Sequence, residues 1–240
     1  MAGRDGGSGY FGKLPARADF VIGACPGGFL RLWEPFLIGG LAQSRLDLKD
    51  AWEEAYMTMP VWRFWLKPSG NGGGLATAVA GAFMPSVDRV GRQFPLTVVA
   101  PFGAGDERDE PAEDWYDDVE AVLLKALAED AELSDFQEAV AGLAPPEPGG
   151  NAGRYAQAPE LAVMEGTSTV AGAGLHCRAG DGGYAFRCSG LPHPLAFRWL
   201  ILPETYGAAG DRREGTGQPE NGQEEAGTSC GLYDPEDNRT

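Results

Sequence analysis

The chain has 240 residues, 43% of them hydrophobic, and a formal charge of −16 at pH 7. That length suits one large domain or two small ones. The acidic balance argues against nucleic acid or an anionic membrane as a direct partner, since phosphate binding needs clustered Lys and Arg, but it leaves room for a small basic pocket.

Residues Met1 to Ser8 contain no apolar segment of the kind a secretory signal carries. No window approaches the roughly 18 uninterrupted apolar residues of a membrane span. The four Cys (Cys25, Cys177, Cys188, Cys230) are sparse and form no framework pattern. Free thiols in a cytoplasmic protein without direct membrane insertion are the expectation.

In chain order, Gly9 to Pro15 predicts a short strand stopped by proline, and Arg17 to Val21 a turn or second short strand. Phe29, Leu32, Trp33, Phe36, Leu37 and Leu41 follow helical spacing and form one apolar stripe. Pro35 interrupts it, which predicts either a kink or a helix that starts near Glu34. A second short helix is expected over 49–57. Pro60 to Leu66 is aromatic and β-branched and predicts a strand, and Ser69 to Gly74 a flexible turn without the Lys-Ser/Thr ending of a phosphate loop.

Leu75 to Met84 and Phe94 to Phe102 predict two buried strands. The acidic run 103–118 leads into a helix face of Trp115, Val119, Val122, Leu123, Ala126 and Leu127. Its first-turn carboxylates oppose the helix dipole, with an acidic docking surface as the alternative. Ser134 with Gln137 matches a capping box, with Phe136, Val140 and Leu143 continuing a short helix. Leu161 to Ser189 suggests a β-meander, and Leu191 to Leu202 a final helix or strand. Between Glu204 and Thr240 there are nine acidic and three basic residues, a formal charge of −6, so 207–240 is expected to be a disordered tail beside a domain of residues 1–206.

The densest chemistry lies between the two buried strands, in Met84-Pro-Ser-Val-Asp-Arg-Val-Gly-Arg-Gln-Phe-Pro95. No Gly-x-Ser-x-Gly elbow surrounds Ser86, and no general base stands beside Ser86 or Asp88, so a small hydrolase using this pair is the weakest reading. Arg89 and Arg92 suit bidentate capture of an anion, a nucleotide phosphate or a partner carboxylate. The competing reading is internal: Ser86 and Asp88 satisfy loop backbone, and Arg89 or Arg92 pairs with Asp19 or Asp88. Lys13, Arg17 and Asp19, with Tyr10, pose the same choice at the N-terminus. His176, Cys177, Cys188 and His193 match no common zinc spacing, and adjacent His and Cys on a strand point to opposite faces. No metal or cofactor is expected.

Four segments together resemble the N-terminal domain of the TagF family of bacterial type VI secretion systems. They are Gly9-Tyr-Phe-Gly-Lys-Leu-Pro-Ala-Arg-Ala-Asp-Phe20, Phe29 to Arg45 ending in Gly-Leu-Ala-Gln-Ser-Arg, Tyr56-Met-Thr-Met-Pro-Val-Trp-Arg-Phe64, and Met84 to Thr97. The likeness covers about 9–130 and continues more weakly to Pro203, with Gly190-Leu-Pro192 in it. This chain departs from the family at Ala18, where Gly is usual, at Pro35, and at Val163 and Met164, where a Trp-containing strand is usual. The resemblance implies a compact three-layer α/β/α sandwich with a mixed central sheet. It also implies a non-catalytic, post-translational repressor of secretion that associates with the system's forkhead-associated scaffold protein. Ser86, Asp88, Arg89, Arg92, Lys13, Arg17 and Asp19 are the candidate binding residues, with no catalytic residue among them.

Overall fold

A computed structural model describes residues 7–70, 74–103, 110–128, 130–149, 156–157, 170–179 and 182–206. The expected tail at 207–240, the Val163–Met164 segment and the centre of the Ser69–Gly74 turn lie outside the described residues.

Among the described residues eight strands form one sheet in the order β2-β1-β5-β4-β3-β7-β8-β6. They are β1 (Gly9–Lys13), β2 (Phe20–Ile22), β3 (Trp62–Pro68), β4 (Val79–Met84), β5 (Leu96–Pro101), β6 (Ala156–Gln157), β7 (Val170–Ala179) and β8 (Gly182–Cys188). Every pairing is antiparallel except the short β6–β8 contact, which is parallel. Among the described residues five α-helices complete the α/β fold: α1 (Phe29–Leu48), α2 (Trp52–Met57), α3 (Glu113–Lys125), α4 (Leu133–Ala141) and α5 (Phe197–Ile201).

The period-two alternation of the strands divides the core between the sheet's two faces. Along β3, Trp62, Phe64 and Leu66 join the cluster made with α1, α2 and α5, while Trp65 joins the cluster made with α3 and α4. Phe64 lies at the centre of the first cluster. Its ring stacks on Trp33 at 4.3 Å between centroids, and Trp33 in turn meets Phe83 edge-on at 5.3 Å. Such pairings add about 0.5–1.5 kcal/mol each beyond burial. Trp33 Nε1 donates to Thr97 Oγ1 at 3.0 Å, so the indole brings no unpaired donor into the core.

Helix α1 runs unbroken through Pro35, which corrects the expectation of a start near Glu34. The buried stripe Phe29, Trp33, Phe36, Leu37 and Leu41 carries the helix, and Pro35 lies on its exposed face, where water can satisfy the carbonyl it leaves unbonded. Gly40 lets α1 approach α5: a Cβ there would lie 2.0 Å from the Phe197 ring. The expected stripe on α3 holds at Trp115, Val119 and Leu123, but Leu127 falls past the helix end and is exposed.

The capping box at Ser134 and Gln137 does not form. Helix α4 begins at Leu133 with Glu132 as N-cap, so Ser134 already lies inside the first turn. Gln137 is used elsewhere, donating to the Tyr10 hydroxyl at 2.6 Å. The strands expected from Leu75 and Phe94 are shorter than their apolar runs, beginning at Val79 and Leu96. The segment 191–202 resolves as a helix, with a 3₁₀ turn at Pro194–Ala196 leading into α5.

Candidate functional site

The polar loop is the tip of the β4–β5 hairpin. Beyond the last ladder pair, Met84 with Leu96, the hairpin is prolonged by Phe94 N donating to Ser86 O at 3.0 Å and by a bridge between Val87 and Gln93. It closes in a turn in which Gly91 N donates to Asp88 O at 2.9 Å. Gly91 adopts φ +84°, a conformation open to glycine at little cost.

Asp88 organises this turn. Its carboxylate is buried, and one oxygen accepts from the amides of Val90 (3.0 Å) and Arg92 (2.9 Å). The other accepts from Lys13 Nζ (2.5 Å) and Arg92 Nε (2.7 Å). Burial alone would raise the Asp88 pKa. The hydrogen bonds from Lys13, from the Arg92 amide and side chain and from the Val90 amide outweigh it and hold the carboxyl well below the usual carboxylate range. Lys13 Nζ also lies 4.6 Å from the Phe20 ring centroid, so one ammonium joins β1, β2 and the hairpin tip.

Ser86 is equally committed. Its hydroxyl donates to Lys13 O at 2.8 Å, and its amide and carbonyl both bind the Tyr56 hydroxyl at 3.0 Å. Burial pushes the Tyr56 phenol pKa up, so it stays protonated and serves as donor and acceptor together. Replacing Tyr56 with Phe leaves the buried Ser86 amide unpaired. A loss of about 1–3 kcal/mol is expected, read as a lower urea midpoint with an unchanged slope.

The candidate residues therefore divide. Lys13, Ser86 and Asp88 are buried, and each is used to hold the hairpin against β1. Arg92 is exposed but tied down, pairing with Asp88 and donating to Ala18 O. Arg89, Arg17 and Asp19 are exposed. The Arg89 backbone amide donates to Arg17 O at 2.9 Å, which fixes the chain while leaving both guanidinium groups on the surface. Of the ion pairs expected from sequence, Arg92–Asp88 forms. No pair of Arg89 or Arg92 with Asp19 is present among the described residues. Arg17, Arg89 and Asp19 line a groove of about 390 Å³, bounded by β2 and by Leu133 and Gln137 of α4. Along this rim the candidate side chains Arg17, Asp19 and Arg89 are on the surface, with Val90 and Arg92 also exposed in the loop.

A second polar cluster was not anticipated. Arg63 is only 1% exposed on β3, and its guanidinium reaches Glu113 (3.0 Å), Asp117 (2.6 Å) and Glu120 on α3. Arg178 of β7 pairs with Asp117 at 2.8 Å, and His176 Nε2 lies 3.2 Å from Glu113. Burial works against the charge of Arg63, and the hydrogen bonds to Glu120 and Asp117 more than compensate, raising its pKa. The sequence held a signal: Arg63 interrupts the aromatic run Trp62 to Trp65, and Glu113, Asp117 and Glu120 repeat at i, i+4 and i+7 on one helix face. His176 faces this cluster, and Cys177 lies in the core on the other side of the sheet, as the strand alternation requires.

The fold is that of an α/β protein with one antiparallel-rich sheet and a fastened β4–β5 hairpin tip. The family described as "TagF N-terminal domain, Type VI secretion system-associated" matches residues 9–143, more than half of the chain, and the chain belongs to that family. The crystal structure of PA0076 from Pseudomonas aeruginosa PAO1 is similar at 30% identity and TM-score 0.64, covering 92% of this chain and all of that one. No curated protein matches the chain. No helix among the described residues is long and apolar enough to cross a membrane.

Proposed function

We propose that this chain is a non-catalytic accessory protein of a bacterial type VI secretion system. It represses secretion after translation, in the cytoplasm, by binding a component of the system, the forkhead-associated scaffold protein. The observation that carries the reading is the family match over residues 9–143. The site chemistry agrees with a binding role: the Ser86 hydroxyl proton is directed to a backbone carbonyl, and Asp88 is saturated by four donors. Neither group is poised for nucleophilic or base chemistry, since a nucleophile needs a base within reach and an accessible reacting atom.

The tagged full-length chain, used as bait in cells carrying the secretion system, is expected to retain the forkhead-associated scaffold. Failure to retain it, together with unchanged effector secretion in a deletion strain, would overturn the proposal. A second reading is favoured by one feature, the exposure of Arg17 and Arg89 along a groove: the rim is an anion- or nucleotide-binding site. Thermal stabilisation by inorganic phosphate or by nucleotides would support it.

A further inference from the structure

Strand β2 is an edge of the sheet, and its bonding phase is fixed. Gly23 N donates to Tyr10 O at 2.8 Å, and the register pairs Val21 with Gly12. In an antiparallel ladder, bonded and unbonded pairs alternate, so Val21 bonds toward β1 while the amides and carbonyls of Phe20 and Ile22 face the open side. The side chains of those two residues are 45% and 58% exposed, a pair of apolar groups on one face of an unpaired edge. Protein edges are commonly blunted by charge, proline or a covering element. Strand β2 itself, Phe20–Ile22, contains neither a charge nor a proline, and surface arginines border it.

The charge at this edge runs against the whole chain. Lys13 and Asp88 cancel in the interior. On the surface, Arg17, Arg89 and Arg92 stand against Asp19, a balance of +2 in a chain of −16. The groove lined by Arg17, Arg89 and Gln137 runs along this strand, with Phe20, Val21 and Ile22 all on its wall. A strand added beside β2 would therefore meet both the Phe20–Ile22 strip and the arginines of the groove. A second copy of this chain would bring two like-charged arginine clusters to one twofold axis, and two chains of −16 repel one another.

We propose that the open edge of β2 is a docking edge for an extended segment of a partner protein, rich in acidic and apolar residues, which adds to the sheet as a further strand. Four backbone groups face outward, so the ladder supplies at most a few hydrogen bonds, and the arginines and the Phe20–Ile22 strip supply selectivity. The inference deepens the proposed binding function by naming the surface and the partner's chemistry, and rests on it only for the partner's identity.

The test uses the full chain and a blocked synthetic peptide of about ten residues alternating Glu and Val, with a Lys–Val peptide as control. Hydrogen exchange at single amides is expected to slow at Phe20 and Ile22 when the acidic peptide is present, with Val21 slow throughout. Ile22→Pro removes one outward donor without breaking the β1–β2 ladder, and is expected to weaken peptide binding at least about tenfold at an unchanged melting temperature. Should the proline variant fold poorly, Ile22→Glu on the exposed side chain serves instead and repels the acidic strand. Arg17→Glu with Arg89→Glu is expected to abolish binding, and added salt to weaken it.

Fast exchange at Phe20 and Ile22 with the acidic peptide present, or equal binding of the Lys–Val peptide, overturns the inference. So does a dimer that Ile22→Pro converts to monomer, which would assign the edge to a second copy. Capture of the forkhead-associated scaffold, run in parallel, separates the two claims. Equal capture by the wild type and Ile22→Pro removes the docking edge and leaves the proposed function standing. Peptide protection without scaffold capture removes that function and leaves the edge.

Discussion

Replacing Arg63 with Met is expected to lower the stability of the described domain by about 2–4 kcal/mol. Removing one member of a buried ion cluster commonly costs about 3–5 kcal/mol, because the charges left behind are unpaired in a poor solvent. Here Glu120 loses its guanidinium partner, while Asp117 keeps Arg178 at 2.8 Å and Glu113 keeps its contacts with Arg178 and His176; the side chains of Glu120, Asp117 and Glu113 are 23%, 47% and 30% exposed. Water recovers part of their solvation, which sets the estimate toward the lower end. The three carboxylates lie on one face of α3 and repel one another once the guanidinium is gone. For a domain of this size the loss corresponds to a fall in melting temperature on the order of 5–15 °C. Scanning calorimetry would show it. Arg63→Lys should fall between, since a lysine keeps the charge and loses the fork that reaches three partners. Adding Glu120→Gln to Arg63→Met should restore part of the loss, and additive effects of the two changes would argue against the cluster acting as a unit.

The second large effect is expected at Asp88, and it depends on pH. Its pKa is depressed in the folded chain, so the unfolded state binds the proton more readily. The stability it contributes is fully present above the unfolded carboxyl value of about 4 and is lost as pH falls toward the folded value. Asp88→Asn removes that contribution and leaves buried Lys13 facing an amide. The stability difference between wild type and Asp88→Asn should be constant from about pH 5 to 7 and shrink progressively below about pH 4. Urea titrations at a series of pH values would read it. A difference that grows on acidification would contradict the assignment of Asp88 as the ionised centre of the hairpin tip.

The sequence was most informative where one period dominates. The stripe from Phe29 to Leu41 defined α1, and the apolar runs ending at Met84 and Phe102 identified the two strands that the polar loop joins. It was less informative where partners come from distant segments. Asp88 meets Lys13 across 75 positions, and Arg63 meets Glu120 across 57, so the distinction between a clamp and a binding site needed the third dimension. Local rules misled at Pro35 and Ser134. At Pro35 the exposed helix face absorbed a lost hydrogen bond, and at Ser134 a start two residues earlier moved the serine out of the capping position. The loop itself resolved into two roles: Ser86 and Asp88 face inward and fasten the hairpin to β1, whereas Arg89 is exposed, beside Arg17 from the β1–β2 connection.

The proposed function is restraint of a type VI secretion system. Effector release should therefore be measured in otherwise identical strains in which the gene is deleted, native or overexpressed. Release is expected to rise in the deletion strain and to fall below the native level on overexpression, with effector transcript levels unchanged. Equal release in all three strains would contradict the account.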